Sequence, residues 1–492
     1  MSVSKHTASN LAGAVIPLIL SFVTVPAYLH LIGPDRYGVL AIAWLLLGYF
    51  GLFDLGLGRA TSFRIASSKD SDPAEQADVF RTALTINAGI GAIGGVILWG
   101  AGYWFFGSVF KVSAPLRAEM IAALPWLAAS VPVATMTGVL TGALQGREKF
   151  LKTNTVSVIS TILFQIFPLS IAFFVGPQMV GLLAAAVMAR VAAIVVLWWM
   201  CHGEFTRGQK PKFRREQAGS LLSFGGWVTL NGLMWPMLIM ADRFAIGAIL
   251  GARAVAIYTI PFQLAQRSGI IPNAVSNALF PRMSAVSPEQ RLAILDKAIR
   301  AMAAILTVPV FVAFFVFKPF LLLWVGADMA NASYEIGKII IFGFWANSFV
   351  AIYFTFYQSD GRPKTVSGIL AVQVVPYLPV LWFALSKWGL EGAAWLFFAR
   401  AVISFVPLFV SKKPTRKTVI FISSAGAGLT AGFLLSNAAL AGGVAAILVA
   451  AALLVILSVM SVQCLLAEFP DVAKRLPIFG NRLPPVSASV GD

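Results

Sequence analysis

The sequence predicts an all-α, polytopic membrane protein of about fourteen transmembrane helices, on three observations. Of its 492 residues 59% are hydrophobic and 12% charged, with a mean hydropathy of +0.84, whereas soluble domains carry roughly 25% charged residues. Nearly uncharged runs of about 18 or more apolar residues recur along the whole length, each able to span a hydrocarbon core of about 30 Å as a helix. The basic residues collect in alternate connections, as the positive-inside rule requires.

Taken in order, the predicted spans are 9–32, 37–58, 79–106, 119–145, 153–175, 178–202, 219–249, 254–281, 298–325, 335–358, 365–386, 389–411, 418–436 and 439–466. The first is too long for a signal-peptide core and lacks a small-residue cleavage site, so it reads as a retained helix. With the N-terminus inside, 26 of the 37 Lys and Arg residues fall in cytoplasmic segments and five (Arg36, Lys111, Arg117, Arg253, Lys387) in outer connections. The net charge of +17 is thereby explained by topology, without a nucleic-acid partner. Both termini are expected on the cytoplasmic side. Cys201 and Cys464 stand at span ends and form no disulfide framework or CxxC metal site.

The chain repeats itself at nearly one offset. Gly146–Lys149 reads GREK and Gly361–Lys364 reads GRPK, 215 residues apart; Arg64 and Arg282 differ by 218, as do Gly33 and Gly251; Ala189-Arg190 and Ala399-Arg400 differ by 210. A smooth drift across four matches points to duplication. Six helices per copy start both halves on the same side, giving parallel repeats suited to rocking about a central site. The expected organisation is an N-terminal lobe with its linker at 1–217, a second lobe at 218–411, two added helices at 412–466 and a cytoplasmic tail at 467–492. The paired loops, with Arg64, Arg147 and Lys149 in one copy and Arg282, Arg362 and Lys364 in the other, are the expected cytoplasmic gates.

Six cations lie within or beside spans. Arg190, Arg267 and Arg400 are near span centres, where a charge facing lipid costs roughly 2.5–3.5 kcal/mol on insertion scales, so they are expected to face inward. A guanidinium stays protonated and offers a planar donor fork matched to phosphate or carboxylate. With Arg243 and Lys318 they form a candidate site for an anionic headgroup; pairing with helix-end carbonyls or acids is the alternative. Lys338, near an outer end, is expected to snorkel. Asp242 and Asp54, the two acids within spans, are candidates for H⁺ or Na⁺ coupling or for structural pairing, Asp242 by anchoring an arginine and Asp54 by holding Arg59 or Arg64 at the interface. With three histidines, no HExxH and no P-loop, no catalytic, metal or ATP site and no cofactor are expected.

Several segments carry a family likeness: LIGPDRYG (Leu31–Gly38), DLGLGRA (Asp54–Ala60), LQGREKF (Leu144–Phe150), DRFAIGAILGARAVAIY (Asp242–Tyr258) and NALFPRMS (Asn277–Ser284). Over most of its length the chain resembles the polysaccharide flippases, the Wzx-type O-antigen and exopolysaccharide transporters of the multidrug/oligosaccharidyl-lipid/polysaccharide (MOP) superfamily. The resemblance implies two pseudo-symmetric, MATE-like six-helix lobes plus two C-terminal helices. It also implies translocation of undecaprenyl-diphosphate-linked oligosaccharide between leaflets for surface polysaccharide biosynthesis, coupling to an ion gradient, and partners among the pathway's polymerase and chain-length proteins. Alternatives are a MATE-like exporter or a peptidoglycan-precursor flippase of the same superfamily, and a membrane polymerase or ligase. The exporter's cation cargo calls for unpaired carboxylates, but this chain has an excess of cations. An enzyme calls for a sizeable outer loop, but the largest runs only from about Gly107 to Ala118.

Overall fold

A computed structural model describes residues 3–49, 54, 56–68, 73–206 and 212–469. The predicted tail beyond residue 469 and the linker at 207–211 lie outside the described residues. The chain forms α1 (Val3–Tyr49), α2 (Leu57–Ser67), α3 (Pro73–Trp104), α4 (Ala114–Gly146), α5 (Phe150–Phe174), α6 (Met179–Cys201) and α7 (Arg215–Ile249). It continues as α8 (Ala252–Gln266), α9 (Ile270–Ser284), α10 (Pro288–Val325), α11 (Ala327–Ser359), α12 (Pro363–Ser411), α13 (Arg416–Leu440) and α14 (Val444–Glu468). No strand occurs among the described residues, and ten helical segments there are long and apolar enough to cross a membrane.

The helices do not match the predicted spans one for one. α1 holds the first span and most of the second, joined through Gly33 at φ 78°, and α12 holds the eleventh and twelfth, joined through Gly389 at φ 59°. A left-handed φ is sterically open to glycine, so one residue replaces each expected loop. The predicted 254–281 span is instead two helices, α8 and α9, separated by a 3₁₀ turn at Arg267–Gly269. Pro261 and Pro272 flank that break, and each removes a backbone donor from the helix ladder. Counting the kinked helices as two passes, α8 with α9 as one, and leaving out the eleven-residue α2 gives fourteen among the described residues.

Contacts divide the chain into two compact units, residues 1–259 with 374–390, and 260–373 with 391–492. In the first, Leu57, Phe80, Leu140, Leu144, Leu197 and Phe205 bury a core shared by α2, α3, α4 and the end of α6. Close packing here depends on glycine: a Cβ on Gly142 of α4 would collide with the Gly58 carbonyl of α2. In the second unit Phe311, Phe314, Phe349, Tyr353 and Leu429 form the centre of a core spanning α10, α11 and α13. Outward faces carry large apolar side chains such as Phe174 (81% exposed) and Trp199 (76%), a surface that fits lipid and not water. Cys201 is buried and Cys464 half-buried, and both are free thiols.

Candidate functional site

In the first unit Arg190, mid-way along α6, lines a cavity of about 360 Å³ between α4, α5 and α6. The opposing wall is hydroxyl-rich: Thr153, Ser157, Ser160 and Thr161 of α5 with Thr137 and Thr141 of α4. Those α5 residues recur at helical spacing, so one face of the helix presents them together. Three of the hydroxyls are already committed as donors: Thr137 to the Val133 carbonyl (2.7 Å), Thr161 to that of Ser157 (2.8 Å) and Thr153 to that of Phe150 (3.0 Å). Such hydroxyls keep lone pairs that can accept from a ligand. The Arg190 guanidinium lies 4.6 Å from the Phe164 ring centroid, and its buried Nε finds no acceptor among the described residues. A guanidinium held by a ring face, with donors to spare, is poised for an anionic or polyhydroxylated ligand.

The cavity's base is fixed by α1. Tyr28 donates to the Gln165 carbonyl at 2.9 Å, Thr24 to Gln165 Oε1 at 3.4 Å, and Trp44 packs against Phe164 with centroids 6.4 Å apart. The LIGPDRYG motif anchors this end: Arg36 binds Glu119 of α4 (Nη2 to Oε1, 2.5 Å), and Glu119 also accepts from the Met179 N–H that starts α6 (3.2 Å).

Asp242 of α7 is buried. It accepts from the hydroxyls of Tyr258 (3.3 Å, to Oδ2) and Tyr377 (to Oδ1). Adjacent Arg243, also buried, lies 5.6 Å from the Tyr258 ring centroid. Burying a carboxylate is costly unless donors satisfy it, and two tyrosines from different helices supply them. Sequence reasoning missed both tyrosines. It also missed the α5 hydroxyl face, although the Thr153–Thr161 spacing is a signal visible in the sequence.

In the second unit Arg267 is half-buried at the α8/α9 break, where its side chain makes no ion pair or hydrogen bond among the described residues. Arg400 of α12 is buried with its guanidinium 5.5 Å from the Phe397 ring centroid, and Phe397 packs on Phe262. The Arg400 carbonyl accepts from Ser404, which accepts from Gln373 Nε2 at 2.8 Å. Lys318 of α10 stands 5.7 Å from the Tyr334 ring centroid. Lys338, expected to snorkel, is fully buried instead: its ammonium reaches Asn437 Oδ1 (2.7 Å), Ser436 Oγ (3.1 Å) and Glu335 Oε2 (3.0 Å), with Tyr334 and Phe433 rings beside it. Polar groups of α13 thus come to the charge, where snorkelling would carry the charge to water.

Asp54 is a local cap. Its oxygens accept from the N–H groups of Gly56 (2.7 Å) and Gly58 (3.3 Å), at the start of α2, and it forms no ion pair with Arg59 or Arg64. The GREK loop is fastened to the turn after α6: Lys149 binds Glu204 at 3.1 Å, and Arg147 lies over Phe205, 5.2 Å from its centroid. In the GRPK loop Arg362 pairs with Asp360 (3.3 Å), which also binds Arg291, whose Nε donates to the Met283 carbonyl at 2.8 Å. Arg64, Arg282 and Lys364 are exposed. No three His, Cys, Asp or Glu residues converge as a metal site among the described residues.

Known proteins share both sequence and fold with this chain. The family described as polysaccharide biosynthesis protein matches residues 3–287. A Shigella flexneri protein named for O-antigen transport is 28% identical over 406 residues, covering 82% of this chain and 96% of that one. Among solved structures, the lipid II flippase MurJ in an inward closed conformation matches with a TM-score of 0.67 at 12% identity, over 95% of this chain and 98% of that one. An inward-facing MATE multidrug-resistance transporter of the MOP superfamily gives 0.64 at 15%, over 83% and 99%. These two likenesses establish a MATE- and MurJ-like fold.

Proposed function

The chain belongs to the polysaccharide biosynthesis protein family, and from that premise we propose that it is a flippase for undecaprenyl-diphosphate-linked oligosaccharide. It takes repeat units from the cytoplasmic to the periplasmic leaflet of the inner membrane by alternating access between pseudo-symmetric lobes at 1–217 and 218–411. The observation that carries the reading is the Arg190 cavity: an unneutralised guanidinium facing a wall of hydroxyls inside a membrane-spanning unit. Sugars present many hydroxyls to such a wall, and a diphosphate or acidic sugar supplies the anion. The polyprenyl tail stays in lipid, its natural solvent.

Arg243, Arg267, Arg400 and Lys318 are assigned to the same anionic cargo. H⁺ or Na⁺ coupling is assigned to Asp242, because both oxygens of Asp54 are committed to backbone N–H groups. Translocation breaks no covalent bond, so a transport cavity with a movable proton or ion suffices. Deletion of the gene tests the reading through lipid analysis: complete repeat units should accumulate on their carrier in the cytoplasmic leaflet. Single units displayed outside would identify a polymerase instead, and rescue of a lipid II flippase depletion would redirect the cargo to the peptidoglycan precursor.

A further inference from the structure

A second cavity, of about 280 Å³, lies in the second unit where α12 turns into α13, beside the end of α11 that leads into the GRPK loop. Its polar lining is Asp296 and Arg300 of α10, Lys412 and Lys413 of the turn, and Thr415 and Thr418 at the head of α13. The floor is already paired and bonded, with two carboxylates, Asp296 and Glu468, on the one guanidinium of Arg300. Arg300 pairs with Asp296 and with Glu468 (2.7 Å) and donates to Thr418 Oγ1 (2.5 Å), and Asp296 accepts from Thr415 Oγ1 (2.8 Å).

The two lysines are different. Neither makes an ion pair among the described residues. Lys412 is held with its ammonium over the rings of Phe356 (4.8 Å) and Tyr357 (4.6 Å), contacts that fix a cation without neutralising it. Lys413 adopts φ 47°, a left-handed conformation that costs a side-chain-bearing residue energy and suits glycine. A lysine kept there, beside a lysine already held on two rings, puts two cations outside any ion pair on one cavity, against the single negative charge left over in its floor. Arg416 and Lys417 are exposed one turn further on and add to the field. Exposed Leu292 and Ala293 form an apolar edge to the same cavity.

We propose that this cavity binds the headgroup of an anionic phospholipid of the leaflet on the basic face. Its phosphate would meet Lys412 and Lys413, and its glycerol shoulder would rest on the Leu292–Ala293 edge. Basic pockets between transmembrane helices bind such headgroups. The apolar edge favours lipid over free phosphate, which has nothing to place there. Because the floor bonds join α10 to the ends of α13 and α14, an occupied site braces the two added helices. This inference rests on local geometry and holds whatever cargo the protein carries.

The test uses full-length protein in nanodiscs of phosphatidylcholine, with or without phosphatidylglycerol. Phosphatidylglycerol should raise the melting temperature and be retained on native mass spectrometry, and Lys412→Gln/Lys413→Gln should weaken retention about tenfold or more. Lys413→Gly keeps the experiment decisive if that variant folds poorly. Glycine relaxes the φ 47° backbone, so the protein should be at least as stable in phosphatidylcholine yet gain less from phosphatidylglycerol. Arg362→Gln/Lys364→Gln removes two charges from another basic loop and should leave retention unchanged. An equal loss in that control would reduce the effect to general surface attraction and overturn the proposal. Displacement of the lipid by millimolar inorganic phosphate would overturn the lipid assignment in favour of a soluble anion.

Discussion

Arg190 shows how one residue carries both a cost and a use. Its guanidinium is held over Phe164, with an idle Nε, in a cavity lined by hydroxyls. Buried charge without a carboxylate is poor for stability, so Arg190→Gln should leave the melting temperature unchanged or slightly higher. Loss of a charge-assisted hydrogen bond, about 1.5–3 kcal/mol, should cut transport about tenfold to a hundredfold, measured as surface polysaccharide. Arg190→Lys should recover part of it, since charge returns without the planar fork. Asp242→Asn keeps an acceptor for one tyrosine hydroxyl and offers its Nδ2 as a donor to the other, so the fold should survive while transport loses its response to an imposed H⁺ or Na⁺ gradient. A variant that responds normally would remove Asp242 from coupling. Arg190 and Asp242 are legible in the sequence because a charge in an apolar run stands out. Tyr377 is not: it meets Asp242 from 135 positions away, and a tyrosine in a transmembrane segment carries no such mark.

At the scale of elements, hydropathy finds the apolar runs and glycine decides how they join. The connections expected around Gly33 and Gly389 are single positive-φ residues inside continuous helices, because Asp35, Arg36 and Lys387 mark a connection in the sequence without showing that one glycine suffices to make it. The break at Arg267 was more readable, since Pro261, Gly269 and Pro272 mark it in the sequence. The DLGLGRA motif gains a physical meaning here: Asp54 caps α2 and Gly58 lets α4 approach. Asp54→Ala should therefore cost about 1 kcal/mol, the usual value of a helix cap. Gly142→Val should cost more, at least the 1–3 kcal/mol of an overpacked core, because backbone and not a yielding side chain opposes it. Thermal unfolding in detergent checks both, and equal stability of Gly142→Val would refute the close α2–α4 contact.

For the molecule as a whole, the repeat leaves a trace in backbone geometry. Gly33 and Gly251 lie 218 residues apart and Gly176 and Gly389 lie 213 apart, and all four have positive φ. Each follows an odd-numbered pass, as duplicated turns would. Arg190 belongs to one compact unit and Arg267 and Arg400 to the other, so replacing all three removes charge from both. The most direct test of the flippase reading is leaflet movement in proteoliposomes loaded with the host's own lipid-linked repeat units. Wild-type protein should expose the units to an enzyme confined to the opposite side under an ion gradient, and Arg190→Gln/Arg267→Gln/Arg400→Gln, equally well inserted, should not. Repeat units that stay in their original leaflet with the wild-type protein, or cross at the wild-type rate with the triple variant, would contradict it.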